Sequence, residues 1–468
     1  MTDTDLCFTS AVELRSLIAT KQLSPVELMD AVLARAEALQ PTLNVICTST
    51  FDAARDAAKA SAERVARGEP LGPLEGLPVT IKDLTMTKGV RTMAGSWVYA
   101  ERVPQEDAPL VERLRDAGAI SIGKTTVPEA GWIGCGDSPL TGSTHNPWRH
   151  GFNAGGSSSG AAACAAAGIG PLHQGSDGAG SIRMPAAFCG IYGLKPSFGR
   201  VPIAPMSNNE FNSHAGPMTR TVADAALMLG AMAGPDDRDF TSLEGAPADY
   251  LAELDKPIAG LRVAFSPDLG YLPVDAEVAE PVLHAVEAFR ELGCEVEQVG
   301  ALWDDPIDTE RCYWSTSMAG NMGPYVDTFG ERMDPGLLAC IEDGRRYSAV
   351  DLVQHRQKRL DFARTVQDVF RRYDLLLTPS LSVAAFPVGR IIPEHWPQHD
   401  WDWLRWAGFS YPFNQGWVPA ASCPCGFTAD GRPVGLQIVA GRFQDLRVLQ
   451  ASRAFEEARP WAAHRPPV

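Results

Sequence analysis

Apolar and polar residues recur along this chain with two different periods, and the two periods predict two kinds of element. Near the start, apolar residues such as Leu28, Val32 and Leu39 recur at helical spacing, which predicts a helix with one buried face. An alanine-rich helix is predicted from about 51 to 67, with Gly68 as its stop. Short apolar runs typical of strands follow at residues 76–82, 119–122, 260–265, 294–297 and 373–379.

The order of these elements predicts the fold class. Ser24 and Glu27 have the spacing of a capping box, in which a hydroxyl and a carboxylate satisfy free backbone N–H groups at a helix start. Helices predicted near 107–117 and 277–292 lie between the predicted strands. Strands that alternate with helices indicate an α/β layered fold. No repeat of fixed period and no long linker divides the sequence.

Composition and charge narrow the class of protein. The 468 residues are 45% hydrophobic and 21% charged, which is ordinary for a globular protein. No run approaches the roughly 18 apolar residues that a membrane-spanning helix needs, and the first residues are acidic rather than basic and apolar. We therefore expect a cytoplasmic protein without a membrane partner. The net charge of -16 argues against nucleic acid as a partner.

The ten cysteines do not suggest a metal site. They are scattered, none forms a CxxC pair, and Cys423 and Cys425 have no neighbouring histidine or cysteine cluster. We expect reduced thiols, most of them buried, and no metal.

A glycine- and serine-rich centre is the unusual part of the sequence. Residues 155–160 and 175–183 hold two serine-bearing, glycine-rich loops separated by an alanine-rich run. A flexible linker is one interpretation, but linkers are rarely joined directly to an apolar helix. A phosphate-binding loop would need Lys followed by Ser or Thr after its last glycine, and alanines stand there instead.

A catalytic interpretation fits this centre better. Ser157 and Ser181 lie on glycine-rich loops, and Lys82 ends the strand predicted at 76–82. An alcohol needs a base before it becomes a good nucleophile, and a buried lysine loses its charge readily enough to be that base. Successive N–H groups could form an oxyanion hole; they belong to Gly178, Ala179, Gly180 and Ser181.

Residues 155–200 resemble the signature sequence of the amidase signature family, including the stretch 193–200. The similarity continues at residues 77–83, 216–226 and 433–439, so it extends over most of the chain. It implies that Ser181 is the nucleophile, that Ser157 follows a cis peptide bond and relays a proton, and that Lys82 is the general base. It implies no metal or organic cofactor.

The same resemblance implies supporting residues around the catalytic groups, and at residue 179 the chain departs from the usual family pattern. Ser158, Asp177 and Arg183 are implied to orient the catalytic groups. Ala179 stands where the family usually has the first of two glycines before the nucleophile, so its methyl group restricts the loop while its N–H remains.

The resemblance also implies a single domain over residues 1–468, built on a large mixed β-sheet covered by helices on both sides. We predict an N-terminal helical segment at 1–68 and a signature core at about 70–235. A peripheral α/β elaboration is expected at about 240–370, and the C-terminal part of the core at about 371–468.

A histidine-based triad is the alternative chemistry. Residues 156–160 spell Gly-x-Ser-x-Gly around Ser158, but residues 148–154 do not have the pattern of the strand that a nucleophile elbow requires. Four histidines lie near the signature in sequence, namely His145, His150, His173 and His214.

Tryptophans are concentrated late in the chain, five of the eleven being Trp396, Trp401, Trp403, Trp406 and Trp417. They form either an aromatic surface loop or the wall of a pocket that selects an apolar or aryl substrate. On the second interpretation, we expect Trp314, Trp401 and Trp406 to line the substrate pocket.

The function expected from these features is hydrolysis of a small-molecule carboxylic amide with an apolar or aryl part. Esters and carbamates pass through a similar tetrahedral intermediate and are further candidates. The alternative is a glutaminase-type subunit of a tRNA-dependent amidotransferase, which the resemblance also permits. A binding protein without catalysis is disfavoured because Lys82, Ser157 and Ser181 are all present. The resemblance suggests a homodimer.

Overall fold

The strands of this chain join into one large mixed sheet with two small ribbons beside it. The computed structural model describes residues 2–207, 209 and 211–468. Its strands are β1 Ile46–Ser49, β2 Pro78–Lys82, β3 Ile120–Thr125, β4 Asp137–Ser138, β5 Gly142–Ser143, β6 His145–Asn146, β7 Arg149–Asn153, β8 Leu172–Asp177, β9 Tyr192–Lys195, β10 His214–Thr219, β11 Arg262–Phe265, β12 Glu295–Gln298, β13 Leu375–Pro379, β14 Ala420–Phe427 and β15 Pro433–Val439.

Helices connect and cover these strands. They are α1 Asp3–Phe8, α2 Ala11–Ala19, α3 Pro25–Leu43, α4 Phe51–Arg67, α5 Pro109–Asp116, α6 Ser159–Ala167, α7 Arg183–Cys189, α8 Val222–Met232, α9 Ala276–Glu291, α10 Ile307–Asn321, α11 Val326–Phe329, α12 Pro335–Gly344, α13 Ala349–Arg372, α14 Tyr411–Gln415 and α15 Asp445–Ala458. Short 3-10 turns lie at Trp97–Tyr99, Glu129–Gly131, Gly323–Tyr325, Gly330–Arg332 and Trp403–Ala407.

Local sequence signals place several of these elements correctly. The capping box of Ser24 and Glu27 is present at the start of α3. Helix α4 ends at Gly68, whose φ of +68° is the left-handed conformation that glycine adopts at helix ends. The alternation of strands and helices is therefore confirmed.

The main sheet has the order β1-β3-β2-β8-β10-β9-β14-β15-β13-β11-β12. Strand β2 pairs parallel with β3 and β8, and β11 pairs parallel with β12 and β13. The edge strand β1 pairs antiparallel with β3, and the strands between β8 and β13 in the sheet order also pair antiparallel. Every residue of β2, β9, β10 and β15 is buried. Because successive side chains point to opposite faces, both faces of the sheet must be covered. This confirms the predicted mixed sheet between helices; the segment boundaries stay a prediction.

The glycine- and serine-rich centre is an ordered, buried part of the sheet core. Helix α6 is buried along its whole length, and α7 packs against β14 and β15. Alanine side chains are small enough for α6 to lie close to its neighbours. Because the whole helix is buried, this part of the chain is not a flexible linker.

One strand was not predicted from the sequence. Residues 149–153 form β7, although the pattern of 148–154 did not predict a strand. This strand pairs with β6 in a two-stranded ribbon outside the main sheet, and its Phe152 forms an isolated β-bridge with Pro387. Its polar, half-exposed residues lack the apolar pattern of a sheet strand, which explains the missed prediction.

The remaining features concern cysteines, membranes and metals. The ten cysteines are free thiols, and all but Cys47 and Cys425 are buried. Across the part of the chain that the structure describes, every helix is too short or too polar to cross a bilayer. No group of three or more His, Cys, Asp or Glu side chains among the described residues is arranged to hold a metal ion.

Candidate active site

Lys82 is the last residue of β2 and lies inside the protein with no exposed surface. Its Nζ donates to Ser157 Oγ at 2.9 Å and to the backbone O of Ser176 at 3.0 Å. Strands β2 and β8 are parallel neighbours, so their carboxyl ends lie at the same edge of the sheet. This topology brings the lysine at the end of β2 to the loop that follows β8.

Burial gives Lys82 unusual acidity. Loss of hydration lowers its pKa from 10.5 to about 7, although the negative charge of Asp177 acts in the opposite direction. Near neutral pH a large fraction of Lys82 is therefore uncharged, and an uncharged amine can accept a proton.

Ser157 lies on the loop before α6, and the Gly156–Ser157 peptide bond is cis. The loop packs so tightly that a Cβ added at Gly156 would lie 2.2 Å from the carbonyl O of Cys135. Only glycine fits there, because real Cβ contacts are never this short. The glycine pattern of the sequence therefore reflects close backbone packing around the serine.

Ser158 connects the two serine-bearing loops. Its N–H donates to the backbone O of Ser181 at 3.2 Å. Its Oγ donates to Ser176 O at 3.2 Å and accepts from Ser176 N at 3.3 Å. Ser158 therefore holds the loop of Ser181 against the strand end that also binds Lys82.

The turn that carries Ser181 is folded around the carboxylate of Asp177. Gly180 N donates to Asp177 Oδ1 at 2.7 Å, and Ile182 N donates to Asp177 Oδ2 at 3.1 Å. Gly180 has a φ of +120°, and an added Cβ would lie 2.5 Å from Ser410. The N–H of Gly180 is thus already committed to Asp177, whereas the sequence suggested it for an oxyanion hole.

Arg183 and Asp177 form a fully buried ion pair behind this turn. Arg183 Nε and Nη2 donate to the two carboxylate oxygens at 3.0 and 2.9 Å, the paired geometry that suits a guanidinium. Burial alone would raise the pKa of Asp177, but the charge of Arg183 outweighs it and holds that pKa below its ordinary value. Arg183 also donates to Ser410 O, Gln437 Oε1 and Asn414 Oδ1.

A cavity of about 310 Å³ lies beside Lys82. Ser176 and Gln174 line it, and both accept hydrogen bonds from Lys82. Ala130 lines it as well, next to Gly131, where an added Cβ would lie 3.3 Å from Ser157 Oγ. The cavity is thus lined by residues that contact Lys82 or lie next to the neighbour of Ser157. Most of its other walls are apolar and include Leu84, Met86, Leu110, Ile203, Met206 and Met322.

Comparisons with known proteins identify the family of the chain. A sequence-family model described as amidase matches residues 27–449. The chain belongs to the amidase signature family. An acylamidase of Rhodococcus erythropolis is 42% identical over all of this chain and 98% of its own length. The A subunit of a glutamyl-tRNA(Gln) amidotransferase from Prochlorococcus marinus (strain MIT 9313) is 35% identical over 97% of this chain and 98% of its own.

Solved structures of the family have the same fold. A bacterial aryl acylamidase of the amidase signature family superimposes with a TM-score of 0.91 at 30% identity, over 98% of this chain and 99% of the other. A 6-aminohexanoate cyclic dimer hydrolase in complex with substrate gives 0.90 at 26% identity, with the same coverage. Family membership and the assignment to amide hydrolases, both expected from the signature residues, are confirmed.

Four of the five late tryptophans of this amidase have buried side chains, and Trp417 is half-buried. Trp403 and Trp406 are fully buried, and Trp401 is 4% exposed. The ring of Trp406 stacks near Phe188, with 5.9 Å between centroids, and Phe188 lies in helix α7 behind the Ser181 turn. The rings of Trp401, Trp403 and Trp406 therefore pack in the interior rather than on a surface loop. Among the described residues the 310 Å³ cavity is lined by other side chains, and the pocket roles of Trp401 and Trp406 stay predictions.

Trp314 packs between the other tryptophans and the turn that carries Ser181. Its Nε1 donates to Trp132 O at 2.8 Å, and its ring meets that of Trp403 edge to face at 5.4 Å. A Cβ added at Gly178 would lie 3.5 Å from the Trp314 ring. Trp314 thus borders the turn of Ser181, and its role as a pocket residue stays a prediction.

The histidines do not form a triad with these serines. Across the described residues, no hydrogen bond joins a histidine to Ser157, Ser158 or Ser181. The four candidates have other neighbours: His145 stacks on His150 at 4.2 Å, His173 bonds Thr80 at 2.9 Å, and His214 bonds Asn212 O at 2.7 Å.

Two supporting residues were missed by the sequence interpretation. Asn414 Nδ2 donates to Asp177 Oδ1 at 2.9 Å and to Asp177 O at 3.0 Å. Gln437 accepts from Arg183 and donates to Phe409 O at 2.8 Å. A polar Gln437 within the apolar run of β15 was a signal that could have been used, whereas nothing local distinguishes Asn414.

Proposed function

We propose that this amidase cleaves a carboxylic amide with an apolar or aryl part through an acyl-enzyme on Ser181. The observation that carries the proposal is the 2.9 Å hydrogen bond from a buried, readily deprotonated Lys82 to Ser157. A neutral lysine in contact with a serine supplies the base that an alcohol nucleophile requires. The mainly apolar cavity beside this pair supports the choice of substrate.

The acylation step transfers one proton along the three side chains. Ser181 Oγ attacks the carbonyl carbon while its proton passes to Ser157, and the proton of Ser157 passes to neutral Lys82. Cleavage of the C–N bond then returns a proton from Lys82 through Ser157 to the leaving amine. Water attacks the acyl-enzyme with the same groups acting as base, and the acid is released from Ser181.

The tetrahedral oxyanion needs N–H donors at the Ser181 turn. Because Gly180 N is bonded to Asp177, we assign the hole to the N–H groups of Gly178, Ala179 and Ser181. Ala179 is buried against the aromatic interior and is not among the residues with positive φ, so alanine suits this position.

Supporting roles follow from the contacts around the turn. Asp177 orients the turn by accepting its N–H groups, and Arg183 keeps this carboxylate charged. Ser158 joins the loop of Ser157 to that of Ser181. These residues position the reacting groups without exchanging protons with substrate.

The second candidate is a glutaminase-type subunit, which the 35% identity to the A subunit of an amidotransferase favours. Glutamine carries an α-ammonium group, and ammonium groups are usually bound by carboxylates. The described residues that line the 310 Å³ cavity include no Asp or Glu. This lack of an acidic partner supports the free amidase over the glutaminase.

Labelling of the isolated chain with a serine-directed fluorophosphonate, followed by peptide mapping, tests the mechanism without a choice of substrate. We expect label on Ser181, loss of label in Ser181→Ala, and strongly reduced labelling in Lys82→Ala. Absence of label in a folded wild-type chain would favour the amidotransferase-subunit function over the free amidase. Label on a serine other than Ser181 would contradict the assigned nucleophile.

A further inference from the structure

Arg102 is the one charged side chain among the described residues that line the 310 Å³ cavity. The other described lining residues are apolar or neutral and polar, such as Gln174, Ser213 and Asn321. Arg102 is half-buried, so it has lost part of its hydration, and a ligand that brings a counter-charge would stabilise it. The cavity therefore has a fixed electrostatic preference for anions.

The guanidinium of Arg102 is held in place but not neutralised. Its Nε donates to Thr92 O at 2.8 Å, and its Cζ lies 4.2 Å from the centre of the Tyr99 ring. These contacts use one edge and one face of the group. No described carboxylate forms a salt bridge with it, so its two terminal nitrogens keep their donors for a ligand.

The nearest acidic group does not alter this picture. Asp83 is buried and accepts hydrogen bonds from Met93 N at 3.1 Å and Gly95 N at 3.4 Å. Its charge also acts on Lys124, a second buried cation on β3. The charge of Asp83 acts on Arg102 as well, so one carboxylate faces two cations and one positive charge is left in excess.

We propose that Arg102 binds a carboxylate of the substrate, carried by the part of the amide that occupies this cavity. Two terminal nitrogens of a guanidinium match the two oxygens of a carboxylate. No described residue that lines the cavity is acidic, so this lining offers no partner for the ammonium group of an amino acid such as glutamine. The substrate class is therefore an amide with an apolar body and one carboxylate. This inference rests on the proposed amidase function for its choice of ligand, and binding alone can test it.

The test measures dissociation constants with Ser181→Ala, which cannot form the acyl-enzyme and so does not consume ligand. One matched pair is glutaric acid monoanilide and pentananilide, which differ in a carboxylate on the acyl side. The second pair is 4-acetamidobenzoate and 4-methylacetanilide, which differ on the amine side. Because a hydrogen bond to a charged group discriminates strongly, we expect the carboxylate member of one pair to bind about tenfold more tightly.

The ratio of the two dissociation constants within a pair is the decisive quantity. Arg102→Met should bring it close to one, and Arg102→Lys should restore part of it because the positive charge returns. Arg332→Met is the control, since Arg332 also lies over an aromatic ring, that of Trp97 at 5.2 Å, but is exposed and does not line the cavity. This control should keep the wild-type ratio.

Three results would overturn the inference: no carboxylate preference in either pair, a preference that persists in Arg102→Met, or tight binding of glutamine. Hydrolysis of pentananilide by the wild-type enzyme is measured separately. If the wild type hydrolyses neutral anilides but shows no carboxylate preference, the inference fails while the amidase function stands. If Ser181→Ala prefers the carboxylate but the wild type cleaves no amide, the proposed function fails while the anion site stands.

Discussion

The pH dependence of turnover gives the most direct test of Lys82 as the general base. With its pKa lowered to about 7, half of the Lys82 side chains are uncharged at pH 7. A lysine with the ordinary value would be uncharged in only about 3 of 10,000 molecules at that pH. Below pH 7 the uncharged fraction falls about tenfold per pH unit, to roughly 1% at pH 5.

We therefore expect kcat/KM to rise about tenfold per pH unit up to a break near pH 7 and to level off above it. A base must be deprotonated to act, so the rise is toward high pH, and kcat/KM reports the free enzyme. The assay follows release of 4-nitroaniline from 4-nitroacetanilide, whose amide does not ionise in this range. Lys82→Ala and Lys82→Arg should both lose at least about a thousandfold, since neither side chain accepts a proton near neutrality.

Glu310 is the necessary control, because burial raises its pKa to about 7 as well. Its carboxylate accepts from Asn212 and Gln415, and Glu310→Gln keeps the shape of this buried group. The break near pH 7 should persist in that variant. A break that disappears in Glu310→Gln, a flat profile from pH 5 to 8, or a break near pH 10 would refute the assignment to Lys82.

Three further predictions concern the support of the site. Arg183→Met leaves the Asp177 carboxylate buried without its partner, so we expect the free energy of unfolding to fall by about 3–5 kcal/mol and the Tm to be clearly lower. An unchanged Tm would contradict the role of the pair. Gly180→Ala adds a methyl group at a φ of +120° and should reduce kcat/KM more than tenfold, whereas Gly230→Ala, with nothing within 4 Å, should not. Trp406→Ala removes a fully buried ring, so we expect the free energy of unfolding to fall by about 3–5 kcal/mol and the preference among aryl substrates to stay the same. A tenfold change of substrate preference at normal stability would instead support Trp406 as a pocket residue.

Much of the candidate site could be anticipated from short stretches of sequence. The glycine-rich loops around Ser157 and Ser181 and the lysine at a strand end indicated the chemistry, and the contact of Lys82 with Ser157 agrees. What the sequence could not give is the set of partners far away along the chain. Asn414 and Gln437 bond Asp177 and Arg183 from more than two hundred residues away, and no local pattern encodes such a contact.

The tryptophans also show what local sequence patterns cannot predict. Their number indicated an apolar environment, but periodicity does not distinguish a pocket wall from a packed interior. That distinction depends on which elements pack around Trp403 and Trp406, and helix α7 and Trp132 do so.

The sequence by itself predicted most of the elements of this protein and pointed to candidate reactive groups. Helix caps, glycines at helix ends and the spacing of apolar residues depend on a few neighbouring residues, so they can be recognised from the sequence alone. The tertiary structure decided which groups come into contact, how deeply they are buried and which charges surround them. Parallel pairing of β2 and β8 brings Lys82 to Ser176, burial in the sheet core lowers the pKa of the lysine to about 7, and packing leaves Arg102 as the one charged residue lining the described cavity. Desolvation and unpaired charge are properties of the surroundings, and only the folded chain creates those surroundings.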